Sequence, residues 1–132
     1  MRDASITAVG RVLLAGLFLS AGLSKLGTAE ATIAYIASAG LPLPTLAYAI
    51  TLVVEIGAGA LLMFGFHARL AAAVLAFFVV AAAVFFHNDF ADENQMVHFF
   101  KNLAITGGLL QIVVSGAGQF SLDARFRTPG HI

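Results

Sequence analysis

Four long apolar stretches divide the chain, at roughly 6–26, 44–66, 69–87 and 97–117, each close to the ~20 residues that cross a ~30 Å hydrocarbon core. Backbone polar groups find no water in lipid, and these stretches lack the polar alternation of a barrel strand, so each predicts a helix. The pattern therefore predicts an all-α membrane protein: a four-transmembrane-helix bundle occupying 1–132 as a single domain, with a polar tail over 118–132.

The connections differ in character. Residues 27–43 carry Ile33, Tyr35 and Ile36 and close on Gly40, Pro42 and Pro44. That spacing suits a short amphipathic helix at the interface followed by a rigid turn, and it also suits an ordinary loop. Gly65 to Arg69 reads as a tight link. Residues 88–96 are the most acidic part of the chain, with Asp89, Asp92 and Glu93. In the tail, Pro129 and Gly130 predict a frayed end. Arg2 and Arg11 precede an apolar run with small residues near Ser20 and Ala21, a pattern shared with secretory signals. It is read here as a retained span, because its removal would leave three spans and take away the partner of a buried charge.

Composition strengthens the membrane reading. The chain is 60% hydrophobic and 11% charged, against about a quarter charged in soluble domains, and its mean hydropathy is +0.94. Seven basic and seven acidic residues cancel, leaving no field to attract nucleic acid; the lipid bilayer is the expected partner. Zero cysteines exclude a disulfide framework and a thiolate metal site, so any redox role must borrow its electron carrier. An even number of spans puts both termini on one side with Arg2, Arg11, Arg69, Arg125 and Arg127, against Lys25 and Lys101 on the other. The positive-inside rule then predicts a multi-pass protein of a bacterial inner (plasma) membrane with both termini cytoplasmic.

The candidate functional residues are those that are costly in hydrocarbon, about 2.5–3.5 kcal/mol for an ionised group near the centre of a span. Glu55 lies about 16 Å along its helix from Pro44, near the midplane, on a stripe with Thr51, Ala58 and Gly59. On the first span Arg11, Ala15, Phe18, Gly22 and Lys25 share one face by alternating four-three spacing. These positions predict an Arg11–Glu55 ion pair inside a buried polar network that also takes in Gln111, deep in the fourth span. Such a pair acts in the chemistry or only fixes helix register.

A second polar group gathers at the other end: Lys25, then His87, Asn88 and Asp89, then His98, Lys101 and Asn102. His87, Lys101, Asn102 and His98 are the candidates for a ligand or proton site, though Lys101 also suits an interface anchor. His87 and His98 sit on different elements with no spacing motif and no cysteine to join them, so no metal is expected. The phenylalanines at 77, 78, 85, 86, 99 and 100 read as lipid-facing or packing residues.

The chain resembles the DoxX family, which includes the DoxD-type membrane proteins, over about residues 7–125. The resemblance rests on GRVLLAGLFLSAGLSKL in the first span, YIASAGLPLP before the second, and VVE at Val53 to Glu55. It rests further on GFHAR at Gly65 to Arg69, HNDF at His87 to Phe90 and, most of all, NQMVHFFKNLAITGGLL at Asn94 to Leu110. It implies a small four-helix membrane protein, and it matches Arg11, Glu55, His87, Lys101 and Asn102 to the family's polar positions; no family role passes to His98. Some members resemble membrane subunits of systems that oxidise sulfur compounds and pass electrons to quinone. The resemblance thus implies a non-catalytic or quinone-side membrane subunit of a redox system, acting with a redox partner protein and with quinone as the only cofactor in view. Two other readings stand beside it. One is small proton-coupled transport through Glu55; the other is a scaffold or assembly protein whose charges lock the bundle. Glycines at 57, 59, 107 and 108 suit close packing within the chain or in a homo-oligomer.

Overall fold

A computed structural model describes residues 2–126. Arg127 and the side chain of Arg2, two of the cations placed on the side of the termini, and Pro129 and Gly130 of the predicted frayed end lie outside the described residues. Within them the chain is helical, without strands, and four helices are long and apolar enough to cross a membrane. These are α1 (Arg2–Leu26), α3 (Pro44–Phe64), α4 (Ala68–Phe86) and α5 (Glu93–Ser115).

The link between the first two spans is helical, α2 (Ala29–Ser38), which settles the choice left open above. Ile36 is its buried residue, and Tyr35 stacks on Phe86 with ring centroids 5.3 Å apart, so α2 lies over the end of α4. Two spans start earlier than hydropathy predicts. α1 begins at Arg2, and α5 begins at Glu93 because the Asp92 carboxylate accepts the Asn94 amide and caps a polar first turn.

The core is built from small side chains. Ala15, Ala68, Ala72, Ala83, Leu62, Leu75 and Leu109 are fully buried, and alanines along α4 let its neighbours approach closely. α5 packs mainly along α4 and touches α1 sparsely. The large apolar residues point outward, as a lipid solvent requires: Phe77 is 79% exposed, and Phe85 and Phe100 are exposed too. Phe78 instead packs against the core.

Helix α3 is not uniform. Residues Val53–Ala58 form a π-helical turn between α-helical halves, a widening frequently found at functional sites. Its bulk presses on α1 at Gly22, where a Cβ would stand 2.6 Å from Ile56 Cγ1 and 3.2 Å from Glu55 Cβ. Glycine is what lets the two helices meet there.

At the terminal end the chain folds back. After Gly116 a short helix, α6 (Leu122–Arg125), lies beneath the α3–α4 link. Residues 118–126 are thus part of the bundle's closure, where the sequence predicted only a polar tail.

Candidate functional site

Two polar centres lie at opposite ends of the bundle. The predicted face of α1 is the buried one: Arg11, Ala15, Phe18 and Gly22 are buried and Lys25 half-buried. Which residue each cation meets differs from expectation. Glu55 pairs with Lys25, whose Nζ is 2.8 Å from Oε1 and donates to Oε2 at 3.2 Å. The Oε1 contact lacks hydrogen-bond geometry, so the pair is held by charge and one hydrogen bond. The expected Arg11–Glu55 pair does not form. Gly22 stands against Glu55, so Arg11, eleven residues back on α1, is about 16 Å from that level. A guanidinium cannot span that gap, whereas Lys25 is one turn beyond Gly22.

The Lys25–Glu55 pair is asymmetric. The Glu55 side chain is 6% exposed and that of Lys25 32%. Tyr48 Oη donates to the Lys25 carbonyl at 2.7 Å, tying the end of α1 to α3 beside the ion pair. With the carboxylate in the π-helical turn, this is the most buried charge pair among the described residues.

Arg11 has a different task. Its Nε donates to Leu62 O at 3.0 Å, Nη2 to Phe120 O at 3.0 Å and to Met63 O at 3.4 Å, and Nη1 to Ala117 O. The last carbonyls of a helix lack partners further along it, and one guanidinium here ties those of Leu62 and Met63 at the end of α3 to the carbonyls of Ala117 and Phe120 on the chain returning after α5. Asp123 performs the complementary task, accepting from His67 N at 2.7 Å and Ala68 N at 2.9 Å, the open amides at the start of α4. Asp123 is not among the residues predicted from the sequence. Its partners are 55 and 56 residues away, and a lone acidic residue in a polar tail gives no local sign of that. Gln111, placed in the buried network, is instead exposed on α5 with no partner among the described residues.

At the far end His87 and His98 come together, stacked at 5.1 Å. Burial, and then the charge of His98, hold the His87 imidazole below the ordinary histidine value. Gln95 Oε1 accepts the Asp89 amide, which ties the acidic connection to the first turn of α5. Lys101 is exposed on α5 and has no partner among the described residues; Asn102 beside it is half-buried. Asn102 and Lys101 share α5 with His98, one turn from it, but no hydrogen bond joins them to the histidines.

The arrangement defines a class: a small all-α membrane protein of four spans with a buried glutamate paired to a half-buried lysine in one half and an arginine-closed end in the other. The chain belongs to the DoxX family, whose model matches residues 6–88. That match holds Arg11, Lys25, Glu55 and His87 but ends before Asn94 to Leu110, the segment on which the resemblance rests most. Two Escherichia coli K12 relatives reach further. The "Inner membrane protein YqjF" is 35% identical over 118 residues, covering 87% of each chain. The "Inner membrane protein YphA" is 33% identical over 122 residues, covering 89% of this chain and 87% of the relative. With four apolar helices, these relatives make the chain a multi-pass protein of a bacterial inner membrane. No solved structure matches it significantly.

Proposed function

We propose that the protein is a non-catalytic, quinone-side membrane subunit of a redox system, acting with a partner protein that carries the catalytic chemistry. The observation that supports this reading best is Lys101. Its ammonium is exposed on a membrane-spanning helix and holds no partner among the described residues, with Asn102 next to it and the His87–His98 stack about one turn away. A quinone arrives from the bilayer and needs hydrogen-bond donors for its two carbonyl oxygens around an apolar body. In this reading Lys101 and Asn102 donate to one carbonyl, and the histidines exchange the protons that accompany reduction.

The test is mass spectrometry of an organic extract from purified protein, native against Lys101→Ala. Lys101 holds no partner, so the variant keeps the fold. Stoichiometric quinone in the native protein, depleted in the variant, is the expected result. Absence of quinone from both, with the fold intact, removes the reading.

A second reading has its own observation. Glu55, buried in the π-helical turn and bound only to Lys25, suits a group that takes up and releases a proton in a small proton-coupled pathway. Proton uptake by reconstituted vesicles that disappears in folded Glu55→Gln, while bound quinone is unchanged, favours this reading over the first.

The proposed orientation places both termini in the cytoplasm, in line with Arg69 and Arg125 at the terminal end and Lys25 and Lys101 toward the other. The sequence has no cysteine, so single replacements report cleanly. Asn88→Cys is expected to react with an impermeant maleimide in spheroplasts and Gln119→Cys only after lysis. The reverse pattern inverts the topology.

A further inference from the structure

A groove of about 300 Å³ runs between α1 and α5 toward the terminal end, at the low end of the size range of small-ligand clefts. It exists because these helices touch sparsely and because Gly10 and Gly108 contribute no side chains. A Cβ on Gly10 would meet nothing within 4 Å, while Leu14 forms the groove floor 3.4 Å from the Cβ position of Gly108. Ile6 and Ile112 add apolar lining, the engaged Arg11 and Thr7 border it on α1, and Gln111 and Ser115 bring polar groups from α5.

At the terminal end the lining stops at Gly116, and there a charge waits. The Arg69 guanidinium packs on this glycine, with Nε 3.1 Å and Cζ 3.7 Å from the position a Cβ would take. Gly116 has φ +79, and a side chain here would displace the guanidinium. Arg69 is exposed and makes no hydrogen bond or ion pair among the described residues, unlike Arg11, which is engaged by four carbonyls. The nearby Asp123 carboxylate is committed to the amides of His67 and Ala68. Gln111 and Ser115 likewise have no partner among the described residues, a costly state for amide and hydroxyl groups facing hydrocarbon.

We propose that this groove is a specific site for one anionic phospholipid of the leaflet on the terminal side. An acyl chain fills the apolar groove, the phosphodiester takes the planar fork of Arg69 in two parallel hydrogen bonds, and Gln111 and Ser115 serve the ester oxygens. Charge complementarity selects this occupant over a second copy of the chain. A copy seated here by two-fold symmetry would bring its own unpaired Arg69 to the same interface, and like charges would meet.

Native mass spectrometry of the protein exchanged into nanodiscs of phosphatidylglycerol or of phosphatidylcholine, then released into detergent, tests the site. One phosphatidylglycerol retained per chain is expected, with phosphatidylcholine retained about tenfold less. Arg69→Gln, which breaks no hydrogen bond or ion pair among the described residues, is expected to lower phosphatidylglycerol retention about tenfold, the factor worth one good charge-assisted contact. Gly10→Leu, which fills the groove, should do the same. Arg125→Gln, another exposed cation of the same end, should leave retention unchanged. Circular dichroism checks that each variant stays folded. Equal losses from Arg69→Gln and Arg125→Gln would reduce the site to diffuse surface charge and overturn the proposal. Retention of no lipid overturns it as well, and so does a dimer that Gly10→Leu dissociates.

Discussion

Replacing Lys25 by methionine keeps most of the stem, removes the cation and leaves Glu55 as a lone carboxylate in a side chain 6% exposed. At the observed 2.8 Å the gross attraction of the pair is about 6 kcal/mol with an effective dielectric constant of ~20. Desolvation offsets much of that, so the decisive quantity is the charge left behind, about 3–5 kcal/mol for an orphaned buried ion. Glu55→Gln leaves a different orphan. Lys25 is 32% exposed at the end of α1, and its ammonium swings outward to the interface at a cost of about 1 kcal/mol. Two single variants of one pair should therefore differ about threefold, with Lys25→Met the worse. The double variant should recover about 2–3 kcal/mol relative to the sum of the singles. Unfolding by dodecyl sulfate in mixed micelles, followed by circular dichroism, gives all four free energies. A parallel cycle of Arg11→Met with Glu55→Gln should be additive within about 0.5 kcal/mol, since those residues share no contact. Coupling of Glu55 to Arg11, or a Glu55→Gln cost as large as that of Lys25→Met, would refute the assignment of the pair.

Three further outcomes follow from the terminal end and from the histidine stack. Gly65→Ala forces a Cβ to φ +68 and to 2.5 Å from Ser121 Cβ and 3.1 Å from Arg11 Cζ. It should cost about 2–4 kcal/mol in the same unfolding assay, whereas Gly107→Ala, with nothing within 4 Å, should be neutral or slightly stabilising. Asp123→Ala removes the carboxylate from the His67 and Ala68 amides and should cost about 1–2 kcal/mol. It should also open residues 116–126 to limited proteolysis, and unchanged cleavage there would deny the closure role. His87 titrates below an ordinary histidine, so in the window under the unfolded value of about 6.5 the unfolded end binds more protons than the folded one. Stability of that end is full above this window and is lost as pH falls through it. Hydrogen-exchange protection of residues 88–92, taken relative to the intrinsic rate at each pH, should fall between pH 7 and pH 5, and His87→Asn should abolish that fall.

The spans and the buried face of α1 were legible because hydrocarbon imposes them: twenty apolar residues make a helix, and four-three spacing makes a stripe. Pairing across helices was not legible in the same way. Spacing places Arg11 and Lys25 on one face, but the register of α3 against α1 is set by a backbone contact, Gly22 against the widened turn at Glu55 and Ile56. The π-helical turn has no local signature beyond glycines that also suit ordinary close packing. Gln111 was assigned to the interior because a deep amide needs a partner. It faces outward instead because α5 leans on α4 and leaves α1. Asp123 was invisible because capping here joins residues more than fifty positions apart.

The division of polar groups between the two ends bears on where function lies. At the terminal end, apart from the exposed Arg69 and Arg125, the charged groups of the closure are spent on backbone: Arg11 on four carbonyls and Asp123 on two amides. Their removal leaves buried backbone groups unsatisfied, which is a loss of fold. Toward the other end Asp89 and Asp92 accept backbone amides in the connection, but the charges on the spans themselves are spent on one another or on nothing. Glu55 holds Lys25, and Lys101 stays open to the bilayer. Groups of that kind can exchange a proton or accept a ligand without releasing a helix end. Variants of Arg11 and Asp123 should accordingly lose stability and any activity only in proportion to it, while Glu55→Gln and Lys101→Ala should stay folded and lose whatever passes through the bundle, a contrast that a scaffold held together by its charges would not produce.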